Sequence, residues 1–114
     1  MVQVDFYYKD ERILGFTLSG HANYKQEDQE YDLLCAAISM LSISITNGIT
    51  DIIKVEPKQL EVEDGYLKCL LPDDLSEAQA LQAEALLRTM KLGFENLVQD
   101  YSKYICVNKR RWTP

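Results

Sequence analysis

The dipeptide Asp64-Gly65 interrupts two runs of alternating polar and apolar residues in KQLEVEDGYLKCLLP, and no other feature restricts the fold as much. Asp-Gly suits the positive-φ positions of a type I′ turn, and the flanking alternation gives each strand one apolar face. A β-hairpin is therefore expected here. A second is expected at the N-terminus. There VQVDFYYK puts Val2, Val4, Phe6 and Tyr8 on one face, KDER is a charged turn, and ILGFTLSG puts Leu14, Phe16 and Leu18 on one face.

Helical signals separate and follow the hairpins. HANYKQEDQEY has no periodicity and much charge, and reads as a loop. Asp32 is a good N-cap for the run LLCAAISMLSISITNGITDIIK behind it, which predicts a long helix. Most of that helix is apolar, so it should be covered on more than one side. Ser76 and Gln79 form a capping box ahead of EAQALQAEALLRTMKLGFENLVQDYSKY, a second long helix. YICVNK then reads as a short strand and RRWTP as a tail. The order ββαββαβ implies a layered α/β (α+β) architecture with a mixed sheet and two long helices, a single domain over residues 1–114.

Composition narrows the function classes. With 46% hydrophobic and 26% charged residues the chain can build a packed core. Its formal net charge of −6 argues against a general nucleic-acid or anionic-membrane surface and suits a basic peptide or protein partner. No signal peptide and no stretch of membrane-span length is expected, so a cytoplasmic location is expected. Three cysteines without close pairs read as free thiols. A domain this small leaves much surface uncovered, which a homodimer would help to hide.

Two residues carry the chemistry. Cys35 would sit in the first turn of a helix capped by Asp32, where unpaired N–H groups and the helix dipole favour a thiolate. The backbone N–H groups of Cys35 and Ala36 would then be free to receive an oxyanion. His21, the only histidine, ends the second strand and is the available base for the thiol proton. Asp32 would cap the helix, orient the imidazole, or both. Ser39, Ser42 and Thr46 continue the Cys35 face at helical spacing, as a line allowing close approach or as packing filler bonded one turn back. Against this stands the plainer reading, a capping histidine and a core cysteine. Cys69 in LKCLL and Cys106 in YICV read as buried strand residues. A zinc site would need all three cysteines and His21 to converge without the close ligand pairs zinc modules use, so neither metal nor cofactor is expected. Tyr7, Tyr8, Tyr24, Tyr31 and Trp112 read as core edges and rims rather than the lining of a groove. KQEDQEYD, between base and nucleophile, suits a solvated loop or a mobile lid.

The block Gly20-His21-Ala22, a short loop, and DLLCAAIS from Asp32 to Ser39 resemble the signature of the ribosomal-processing cysteine proteases (Prp), small bacterial enzymes. Length and element order agree along essentially the whole chain. The resemblance implies a homodimeric cysteine endopeptidase that removes the N-terminal extension of a large-subunit ribosomal protein. It implies His21 as catalytic base and Cys35 as nucleophile, supported by Gly20, Asp32 and Ser39. Where the family usually carries glycine two residues before the acidic position, this chain has Glu30, and its loop is slightly longer. The resemblance also implies cleavage after an aromatic residue. The partner is then a ribosomal protein precursor, with no direct nucleic-acid or membrane contact. A non-enzymatic dimeric ribosome-assembly or protein-interaction domain is the alternative, and a thiol redox sensor the weaker third.

Overall fold

The computed structural model describes the backbone of residues 1–20 and 29–114, and the side chains of 1–20 and 33–114. His21, Ala22, Tyr24 and the rest of the expected loop up to residue 28 lie outside the described residues, as do the side chains of Glu30, Tyr31 and Asp32.

Both hairpins form where alternation and turn chemistry place them. β1 (Val2–Lys9) and β2 (Arg12–Ser19) are joined through Asp10, whose φ of 57° is one that aspartate tolerates in turns. β3 (Gln59–Glu63) and β4 (Tyr66–Leu70) are joined through Asp64-Gly65, with Gly65 at φ 76°. α1 (Gln29–Asn47) runs into a π-helical turn (Gly48–Ile52), and α2 (Glu77–Tyr101) starts at the expected Ser76–Gln79 capping box. β5 (Ile105–Arg111) closes the chain.

The sheet order is β3-β4-β2-β1-β5, and among the described strands β1–β5 is the one parallel pair. This is the expected mixed sheet. One face carries Val4, Phe6, Phe16, Leu67, Cys69 and Ile105 into a core shared with Leu34, Ile38, Ile45 and Ile49 of the first helical segment and Ala83, Leu87, Met90 and Phe94 of α2. The opposite face is polar and half-exposed. There Asp5 accepts from Asn108 Nδ2 at 2.9 Å and faces Arg110 Nε at 3.5 Å, while the Tyr7 ring meets Trp112 edge-on at 5.6 Å.

Several expectations are corrected. A bulge between Tyr7 and Tyr8 shifts the register, so Tyr8 pairs with Ile13 rather than Leu14. Ile13 is consequently buried, and Leu14 is only half-buried. β5 continues through Arg111 because the parallel neighbour β1 offers ladder partners as far as Tyr8, whose carbonyl also accepts from the Trp112 N–H at 2.8 Å. Cys106 is half-buried on the open face, while Cys69 is buried as expected. The 20 residues Leu33–Ile52 do reach the length and apolar composition of a membrane span. Their inner side chains nevertheless belong to the core beneath the sheet.

The start of α1 matters most. It begins at Gln29, so Asp32 lies inside the first turn and is not the N-cap. Gln and Glu are strong helix formers where glycine is a poor one, and Glu30 near the start is favoured by the helix dipole.

Candidate active site

Cys35 is the seventh residue of α1, not the third. Only the first four N–H groups of a helix lack an intrahelical acceptor, and the dipole's influence fades within the first turn. Activation of Cys35 by a helix terminus is therefore corrected by the geometry. The same applies to the expected oxyanion donors: the N–H groups of Cys35 and Ala36 lie in the helix interior, directed at carbonyls four residues back.

The position of Cys35 across the helix is more telling than its position along it. Leu34 and Ile38 point into the core, and Cys35, one residue round from Leu34, emerges half-buried at the flank. That flank is one wall of a groove of about 600 Å³. Ser39, one turn on, lines the same wall, followed by Ser42, Thr46 and Thr50. The Ser42 hydroxyl donates to the Ser39 carbonyl at 3.3 Å, Thr46 to the Ser42 carbonyl at 2.8 Å, and Thr50 to the Thr46 carbonyl at 3.3 Å. These hydroxyls satisfy themselves within the helix, and Ile38, Ile43 and Asn47 share the wall with them.

The facing wall is the β3–β4 hairpin, through Leu60, Val62, Glu63, Asp64, Tyr66 and Leu67. All five residues of β3, an outermost strand, are exposed, and among the described residues no helix covers this edge of the sheet. Leu60 and Val62, which alternation alone reads as a buried face, instead make an open apolar surface 44% and 71% exposed. Sequence reasoning missed this wall; the only signal was an apolar pair on a strand rich in glutamate. Glu63 and Asp64 make the hairpin side acidic, and Tyr66 feels it. Its hydroxyl pKa is raised, first by burial, then by the charges of Glu61, Tyr7 and Glu63. Tyr7 and Trp112 stack on the far face of the sheet, away from the groove.

Gly20 also lines the groove. It adopts φ +114°, a conformation reserved for glycine, and a Cβ there would overlap the Met1 carbonyl. Its N–H donates to the Gly65 carbonyl at 3.0 Å. Of the residues singled out from the sequence, the structure thus brings Gly20, Cys35 and Ser39 to one groove. The proposed base His21 and the Asp32 side chain lie outside the described residues. Among the described residues no group of three His, Cys, Asp or Glu side chains gathers as a metal site.

The chain resembles proteins already known. The family model described as cysteine protease Prp matches residues 1–106. The ribosomal processing cysteine protease Prp of Bacillus subtilis (strain 168) is 30% identical over 93 residues, 81% of each chain. The essential ribosomal processing protease Prp from S. aureus, crystallised with a substrate peptide, superposes with a TM-score of 0.80 at 21% identity, covering 96% of this chain and 100% of that one. The same S. aureus protease with a covalently linked product peptide gives a TM-score of 0.80 at 22% identity, with the same coverage.

Proposed function

The chain belongs to the Prp family of cysteine proteases, and from that premise we propose that it removes the N-terminal extension of a large-subunit ribosomal protein precursor, with Cys35 as nucleophile and His21 as general base. The observation that carries the reading is the placement of Cys35, half-buried on the wall of a groove open to an extended chain. Family membership as a protease sets aside the non-enzymatic alternative.

In this mechanism His21 takes the thiol proton as the Cys35 sulfur attacks the scissile carbonyl. The C–N bond breaks, the proton passes to the leaving amine, and the upstream fragment remains as a thioester. Water, deprotonated by the same imidazole, then releases a carboxylate and restores the thiol. Gly20, Asp32 and Ser39 support this pair. The acidic residues Glu63 and Asp64 favour the approach of a basic, RNA-binding substrate tail.

We also place the enzyme in the cytoplasm as a homodimer. Three free thiols suit a reducing compartment. The outer face of the helical layer exposes Leu33, Met40, Leu81 and Leu92, an apolar surface that a second copy would cover. The decisive experiment incubates the purified protein with the extended precursor under reducing conditions, beside Cys35→Ala. Shortening by the wild type alone is the expected result; an intact extension with both refutes the proposal.

A further inference from the structure

The two outermost strands of the sheet carry opposite charge. β3 presents Glu61 and Glu63, whereas β5 ends on Lys109, Arg110 and Arg111, all exposed. From Lys103 onward the chain has four cations and no acidic side chain, a separation that its net charge of −6 hides. This basic edge is remote from the groove. Lys109, Arg110 and Arg111 pair with Phe6, Tyr7 and Tyr8, while Ser19, beside Gly20, pairs with Gln3 at the other end of β1.

The Tyr104 carbonyl accepts from the Val2 N–H, and the Trp112 N–H donates to the Tyr8 carbonyl, so the even-numbered residues of this stretch turn their backbone groups towards β1. Backbone groups alternate in direction along a strand, so those of Ile105, Val107, Lys109 and Arg111 point outward. Among the described residues no strand pairs with them. Cations flank this row on both faces. Lys109 Nζ stands 4.4 Å from the centre of the Tyr8 ring, and Arg110 faces Asp5 on the open side. Neither Lys109 nor Arg111 forms an ion pair among the described residues. The carboxylates nearby are engaged or offset: Glu84 and Glu95 pair with Arg88 and Lys91, and Asp10 and Glu11 lie between Lys9 and Arg12. Charge on an edge deters pairing with neutral strands, but three successive charges of one sign still admit a strand of the opposite sign.

We infer that the free margin of β5 accepts an extended acidic segment of a separate protein as an added strand, with its carboxylates among Lys109, Arg110 and Arg111. Alternating donors and acceptors suit a peptide backbone, whereas the phosphates of a nucleic acid only accept and would leave the outward carbonyls unmatched. A partner held there anchors the enzyme and leaves the groove free for substrate.

Fluorescence anisotropy tests this with a labelled, end-blocked peptide of alternating glutamate and valine, about eight residues long so that it runs the length of β5. The wild type should bind it saturably at low salt, and Lys109→Glu combined with Arg111→Glu should weaken binding at least about tenfold. Both side chains are exposed, and thermal melting checks that the double variant is folded. The same peptide with alternate amides N-methylated keeps its charge but loses the ladder, so the wild type should bind it at least about tenfold more weakly. No saturable binding of the unmethylated peptide up to about millimolar concentration overturns the site. Equal binding of the methylated peptide, or tighter binding of an oligouridylate of equal charge, overturns strand addition by a peptide. A particle mass that grows with protein concentration, and ceases to grow in the double variant, identifies β3 of another copy as the occupant and overturns the separate partner.

Discussion

The backbone N–H of Gly20 donates to the carbonyl of Gly65 at 3.0 Å, which ties the residue before His21 to the β3–β4 turn. The proposed base therefore follows directly from a fixed point on the hairpin that forms one wall of the groove. Because Gly20 holds φ +114° against the Met1 carbonyl, Gly20→Ala should cost about 2 kcal/mol or more. Urea unfolding measures the stability, and precursor cleavage at a temperature where the variant is still folded should also fall. A variant as stable and active as wild type would refute the role given to this anchor.

Cys35→Ala should abolish cleavage while leaving the melting temperature within a few degrees, since the side chain is small and half-buried at a groove wall. His21→Ala should lose at least about a thousandfold in kcat/KM, and the double variant should be no worse than the worse single one, because base and nucleophile act as a unit. Additive losses in the double variant would separate the two residues mechanistically.

Burial pushes the Cys69 thiol up from 9.0 to about 11. The unfolded chain therefore releases this proton before the folded one does. Stability from Cys69 is fully present below about pH 9 and is lost as pH rises towards 11, to a limit on the order of 2–3 kcal/mol. Denaturation midpoints measured from pH 8 to 11 should fall, and Cys69→Ala should fall less steeply. Tyr66, raised in the same direction, retains part of the slope. In the native protein below pH 9, iodoacetamide should modify Cys35 and Cys106 and spare Cys69, which peptide mapping can check.

Met40 is 70% exposed and Leu33 is 68% exposed on the outer face of α1. If a second copy covers that face, Met40→Glu should shift the particle mass measured by light scattering from dimer to monomer, with little change in monomer unfolding. A wild-type monomer at micromolar concentration would remove the homodimer from the proposal.

Local chemistry was legible in the sequence, and relations between distant segments were not. Asp64-Gly65 and the Ser76–Gln79 box each act within four residues, so both appear where they were read. Asp32 is a good cap by type, but Gln29 and Glu30 favour helix and carry α1 past it. The bulge at Tyr7/Tyr8 belongs to the pairing of two strands and leaves no mark on either one alone. The length of β5 is set by β1, about a hundred positions away in sequence. The pairing of motif residues with a nucleophile was visible at Gly20, Cys35 and Ser39, while the wall of Leu60, Val62 and Tyr66 arises only when the uncovered hairpin is set beside the helix.

That uncovered strand has one more consequence. β3 is an outermost strand, with backbone groups on its free margin able to template any extended chain, including another molecule of the same protein. Glu61 and Glu63 give that margin repeated negative charge. Two such margins repel each other, whereas a cationic chain is attracted. The same carboxylates that welcome a basic guest thus guard the enzyme against self-association into fibrils, and neutralising them would loosen both forms of discrimination together.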